Sequence, residues 1–170
     1  MTDFEAALKV LTDGGVRFIV VGAYAAVAHG SSQVTRDLDI CYERTAENMR
    51  KLASALAPYH PRLRGIDQKL PFVLDVQALA QGMNVTLQTD LGEIDLMGQL
   101  SGVGGFNNLL SGAQIVRLHQ QEIHIASLDA VIKSKKAAGR PKDLNAIPEL
   151  EALKDLQASR ESSKDKIKSN

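Results

Sequence analysis

The chain has 170 residues, 44% of them hydrophobic and 24% charged, and Lys+Arg and Asp+Glu number 20 each, so the formal net charge is zero. This suits one globular domain, or one domain with a small appendage, and not a disordered, fibrous or globally basic nucleic-acid-binding chain. A single cysteine, Cys41, excludes an internal disulfide and fits a reducing, cytoplasmic setting.

The start, Met1-Thr2-Asp3-Phe4-Glu5, lacks the basic region and apolar run of a signal peptide. Residues 3–13 read as a helix, with Asp3 as N-cap and Phe4, Ala7, Leu8 and Leu11 at helical spacing; Gly14-Gly15 ends it. Residues 16–21 form a nearly continuous apolar run that suits a strand buried on both faces. Gly22 follows, then an alanine-rich helix through His29. The apolar run from Phe18 to Ala28 is broken by Gly22 and too weak to span a membrane. After Gly30-Ser31-Ser32 comes a strand at about 36–43, then a helix from Thr45 to Ala57 with Met49, Leu52, Ala53 and Leu56 inward. Pro58 and Pro61 close it.

Arg62-Leu63-Arg64 suggests a short strand and 75–81 a helical turn or two. Residues 83–89 and 93–97 alternate at period 2 around Asp90-Leu91-Gly92, which predicts a hairpin. Gly98 to Gly105 is a loop and 106–113 a short helix. Residues 115–118 and 122–126 form a second hairpin through His119-Gln120-Gln121. Ser127 caps a helix that Gly139-Arg140-Pro141 breaks. The last helix is expected from Lys142 to Gln157, with Leu144, Ile147, Leu150, Leu153 and Leu156 on one face, Asp143 as its N-cap, and a kink or break at Pro148. Residues 159–170 lack periodicity and read as a mobile charged tail. The fold class is α/β (α+β), a mixed sheet flanked by helices, with a core over 1–126, C-terminal helices over 127–157 and the tail over 158–170.

The chemistry concentrates in Asp37-Leu38-Asp39-Ile40. On a strand, Asp37 and Asp39 share one face while Leu38 and Ile40 enter the core. Two like charges so close call for a cation, and a hard divalent ion with oxygen ligands is the usual answer. Ile94-Asp95-Leu96 repeats the design, with Glu93 competing on the same face. The plain alternatives are a solvated strand edge for Asp37 and Asp39 and an ordinary exposed acid for Asp95. His29, His60, His119 and His124 lack metal-ligand spacing, and Cys41 reads as a small core residue.

Val21-Gly22-Ala23, then Asp37-Leu38-Asp39-Ile40 after thirteen further residues, then Ile94-Asp95-Leu96 resemble the nucleotidyltransferase superfamily, with its minimal DNA polymerase beta-like fold. The runs Gly30 to Asp37 and Lys133 to Leu144 resemble its bacterial toxin-like, abortive-infection-related branch. The resemblance covers about Phe18 to Leu150. It implies transfer of an NMP from an NTP to a hydroxyl, with two Mg²⁺ ions (or Mn²⁺) on Asp37, Asp39 and Asp95. It further implies nucleotide contacts at Gly22, Ala23, Arg36, Lys135 and Arg140. The family often has Ser or Gly where Ala23 stands, so a phosphate-binding hydroxyl is lost, and Ser31 or Ser32 is a candidate substitute. The basic cluster Lys135, Lys136, Arg140 and Lys142 reads equally as a solvated helix end. An RNA or tRNA end is the first acceptor the branch implies, and a small molecule or protein hydroxyl the second. A partner protein or a homodimer stays open. The competing class is a non-catalytic nucleotide- or partner-binding module, a toxin–antitoxin-like component with a vestigial site.

Overall fold

In the computed structural model, residues 1–66 and 71–168 are described, the side chains of 165–168 excepted. Asp3 caps the first helix, α1 (Phe4–Asp13), by accepting from the Ala6 amide at 3.0 Å. The apolar run pairs only over β1 (Phe18–Val20), but all three residues are buried, as expected of a strand covered on both faces. Then come α2 (Gly22–Ala28), β2 (Asp37–Tyr42) and α3 (Ala46–Leu56), which Thr45 caps and a 3-10 turn at Ala57–Tyr59 closes. β3 (Arg62–Leu63), α4 (Val76–Gln81), β4 (Asn84–Thr89), β5 (Gly92–Met97) and α5 (Phe106–Leu110) follow. The second hairpin is β6 (Gln114–Leu118) with β7 (Gln121–Ile125), and α6 (Leu128–Ala138) starts on a Ser127 cap. Among the described residues no helix is long and apolar enough to cross a membrane.

The strands form one mixed sheet in the order β3-β4-β5-β2-β1-β7-β6. β2 is antiparallel to β1 and parallel to β5, and β7 is parallel to β1. Leu38, Ile40, Ile94 and Leu96 are buried from the two parallel central strands. Cys41 is fully buried, as expected of a core residue. Ala53 is only half-buried; Asn48 takes a place on the inner face of α3 instead. Its amide accepts from Arg17 N at 2.7 Å and donates to the carbonyls of Arg17 (2.9 Å) and Glu43 (2.8 Å). Asn48 thereby clips α3 to the paired ends of β1 and β2. Asn48→Ala is expected to lower unfolding free energy by about 2–3 kcal/mol in a urea melt, because three backbone groups lose their partner together.

The last helix departs most from the sequence expectation. α7 (Pro141–Lys168) runs for 28 residues without a break at Pro148 and continues through most of the stretch read as a mobile tail. Residues 169–170 of that stretch lie outside the described residues. The helix starts at Pro141, where proline's fixed φ and missing N–H suit the first turn, so Asp143 is not its N-cap. The inner face is also rotated. Asp143, Ala146 and Leu150 are buried and Ile147, Leu153 and Gln157 half-buried, while Leu144 and Leu156 face outward. Two polar residues, Asp143 and Gln157, stand in the buried stripe because each has a partner there. Gln157 Nε2 lies 3.0 Å from His29 Nδ1, and Asp143 meets Arg140 and Lys135.

Candidate active site

The parallel pairing of β2 with β5 places Asp39 beside Asp95 and Asp37 beside Glu93. Alternation along both strands puts these acids on one face while their apolar neighbours enter the core. Carboxylate oxygens of Asp37, Asp39 and Asp95 come within 4.8 Å of one another, close enough to share a metal ion. Glu93 falls outside this three-acid group. Asp95 is nearly buried, and Asp37 and Asp39 are partly so.

Electrostatics record the crowding. Burial, then the charges of Asp37 and Asp95, push the Asp39 carboxyl up to about 7, against the opposing pull of Arg64 and Lys142. Burial also raises Asp95, and Arg64 offsets only part of that. Thr35 steadies Asp37 by donating its hydroxyl to Oδ1 at 2.9 Å. The donor set is hard oxygen throughout, which fits Mg²⁺ or Mn²⁺ rather than a softer metal.

Gly22 sits directly against this cluster. Its φ is +64°, in the left-handed region, and a Cβ there would lie 2.1 Å from Asp39 Oδ2. Only glycine serves both demands. Gly22 and Ala23 line a cleft of about 760 Å³ whose floor is the three aspartates. Arg36 is exposed on its rim. Lys135 from α6, Arg140 and Lys142 line the cleft as well.

The cleft thus collects all eight residues singled out from the sequence as catalytic or nucleotide-binding. Lys136 turns away and pairs with Glu151 at 2.8 Å. Ser31 and Ser32 do not replace the hydroxyl missing at Ala23. Ser31 Oγ and the Ser32 amide both donate to Glu149, each at 2.7 Å, and neither residue lines the cleft.

Two residues have roles here that the sequence did not indicate: Asp143, read as a helix cap, and Arg64, read as part of a short strand. Asp143 receives Arg140 Nε at 2.6 Å and Lys135 Nζ at 3.5 Å, and so holds both cations toward the cleft. Burial works to raise its carboxyl, but Arg140 and Lys135 outweigh that and keep it below the ordinary range. The same hydrogen bond raises Arg140. Pro141 at the first helical position was the available signal, since it puts Asp143 inside the first turn. Arg64, just past β3, donates to both oxygens of Asp95 at 2.7 Å and to Glu93 at 2.8 Å. No local pattern announces it.

No known protein family's profile matches the sequence, and no curated protein matches it. Solved structures do match. The lincomycin-bound lincosamide antibiotic adenylyltransferase LnuA is 16% identical with a TM-score of 0.60, over 90% of this chain and 98% of that one. The antibiotic-resistance factor ANT(2'')-Ia in solution is 11% identical with a TM-score of 0.55, over 94% of this chain and 91% of that one. It is also known in complex with adenylyl-2''-tobramycin, a structure 12% identical to this chain with a TM-score of 0.52, over 90% of this chain and 93% of that one. TM1012 of Thermotoga maritima, a candidate nucleotidyltransferase, is 16% identical with a TM-score of 0.52, over 88% of this chain and 94% of that one. The chain has the nucleotidyltransferase fold.

Proposed function

We propose that this cleft transfers a nucleoside monophosphate from an NTP to a hydroxyl of a small molecule. One observation carries the reading: three aspartates from two strands and three cations from the α6–α7 segment converge on one cleft within this fold. Asp37 and Asp39 would hold two divalent ions together, with Asp95 completing the shell of one. Bound there, such ions supply charge neutralisation at the attacking and leaving oxygens.

The chain's own residues do the rest. The bare backbone at Gly22 and Ala23 lets phosphates come close. Lys135, Arg140 and Lys142 offset the charge that builds on pyrophosphate as its bond to the α-phosphorus breaks. Asp95 takes the proton of the acceptor hydroxyl as that oxygen bonds to phosphorus, and releases it to solvent afterwards. Residues 1–126 form the core in this reading, and α6 with the first half of α7 form the arm that brings the cations. A cytoplasmic setting suits the demand for NTP.

A small-molecule acceptor now stands ahead of an RNA end. One structural neighbour is lincomycin-bound and another is known with adenylyl-2''-tobramycin. An aromatic content of 4% leaves little for stacking single-stranded bases. The test is incubation with each α-labelled NTP, Mg²⁺ and separate pools of hydroxylated antibiotics, other small molecules and total RNA. Label is expected on a small molecule and absent with Asp39→Asn. No transfer from any NTP to any pool, with no Mg²⁺–NTP shift in melting temperature, would sink the reading. Label on RNA would relocate the acceptor.

A further inference from the structure

Arg64 belongs to none of the sequence motifs, yet its guanidinium lies on the carboxylate cluster. Nη2 donates to Oδ1 and Oδ2 of Asp95, both at 2.7 Å, and Nη1 donates to Glu93 Oε2 at 2.8 Å. The Arg64 amide donates to the Thr86 carbonyl at 2.9 Å, which fixes the stem while the side chain crosses β4 to reach β5. A charge-assisted fork of this kind is among the stronger side-chain contacts, and Asp95 is nearly buried beneath it.

We propose that Arg64 is a latch on Asp95, a built-in cation that has to leave before a divalent ion can take the third carboxylate. The inference rests on the nucleotidyltransferase reading of the triad. A guanidinium and a metal ion compete for the same lone pairs, and two positive centres repel strongly in so confined a space. Arginine does not lose its proton in proteins, so the conflict is relieved by movement alone. Glu93 holds the other arm of the fork and so anchors the guanidinium over Asp95. A triphosphate entering the cleft offers it a further anionic partner. The bare cation therefore loads poorly, and cation and nucleotide load together.

The test is Mn²⁺ titration of the nucleotide-free protein, read as loss of the free-ion electron paramagnetic resonance signal. Arg64→Gln is expected to bind Mn²⁺ about tenfold or more tightly than the unmodified chain. Arg62→Gln, at an exposed residue of β3 two positions earlier, removes the same charge and is expected to stay within about twofold of the unmodified chain. Glu93→Gln supplies a test of sign. Loss of a nearby acid weakens cation binding by simple field effects, whereas loss of the latch's second anchor strengthens it, and strengthening is expected. Arg64→Gln within about twofold of the unmodified chain, together with weaker binding by Glu93→Gln, overturns the latch and leaves the triad reading standing. Absence of Mn²⁺ binding in both the folded unmodified chain and folded Arg64→Gln overturns the triad reading and the latch with it. If Arg64→Gln does not fold, the direction of the Glu93→Gln change decides alone.

Discussion

Asp39→Asn is expected to abolish nucleotidyl transfer, by on the order of 10³-fold, and at the same time to make the metal-free protein more stable at pH 8. The two effects share a cause. Asp39 lies beside Asp37 and Asp95 in a partly buried cluster, and its carboxyl titrates at about 7 instead of near 3.8. A folded-state value above the unfolded one means the neutral form is favoured by folding. That contribution is complete below about pH 4 and is lost as the pH rises through about 7. Above that, the folded chain carries a charge it disfavours, at a cost of at most about 4 kcal/mol. Asparagine keeps the shape and removes the charge. Thermal melts of the two proteins across pH 4 to 8 should nearly coincide at pH 4, separate progressively as the pH rises, and reach their full difference by about pH 7, with the variant higher. Other acids, such as Asp129, held down to about 2 by Lys154 and Lys133, shift both melts alike and drop out of the difference. Mg²⁺ together with NTP at pH 8 should raise the melting temperature of the unmodified chain more than that of the variant. A variant that melts lower at pH 8 would contradict this picture of the cluster.

Gly22→Ala should damage both fold and site. A left-handed backbone costs a residue with a side chain about 1–2 kcal/mol, before any clash. Here the added carbon would meet Asp39 Oδ2 at 2.1 Å and Asp39 Cγ at 2.8 Å, so Asp39 has to move or the turn has to open. A loss of about 2–4 kcal/mol, or roughly 5–15 °C in melting temperature for a chain of this size, is expected. Transfer should fall by on the order of 100-fold, because the displaced atom belongs to the acid cluster. The clash and the backbone strain are separable. In an Asp39→Ala background the carboxylate clash disappears, leaving a tight 3.0 Å approach to Asp39 Cβ and the left-handed φ, so Gly22→Ala should cost about half as much there. Equal costs in the two backgrounds would mean that the Gly22–Asp39 contact is not the source of the damage. Gly65 makes a useful contrast, since it also has a left-handed φ (+77°) but no described residue within 4 Å of an added carbon.

The carboxylate half of the cleft was legible because it is written locally. Alternation in Asp37-Leu38-Asp39-Ile40 and in Ile94-Asp95-Leu96 fixes which side chains share a face, whatever each strand pairs with. The pairing itself was not legible. Asp39 stands beside Asp95 only because β2 and β5 are neighbours in register, and a slip of one residue would put Ile94 or Leu96 there. Arg64 lies two ladder steps further out, so its approach to Asp95 follows from the sheet order and from no pattern in its own sequence. On α7, leucine spacing misplaced the inner face because Asp143 is buried and Gln157 half-buried with polar partners, Arg140 and Lys135 for the one and His29 for the other. The outer half of α7 was missed for the opposite reason. Its residues 158–164 are exposed, so local helix propensity and not packing holds them, and apolar periodicity is blind to that.

The chain order of the cleft's acids and cations has a consequence for synthesis. The acidic floor is complete once Met97 has been made, but Lys135, Arg140 and Lys142 come some forty residues later. The free side of β1 waits for β7, at Ile125, over the same interval. A chain emerging amino end first therefore holds three crowded carboxylates with Arg64 as their nearest counter-charge until its last quarter appears. The contact that has to open in the finished protein is the one that quiets the acid cluster on the ribosome.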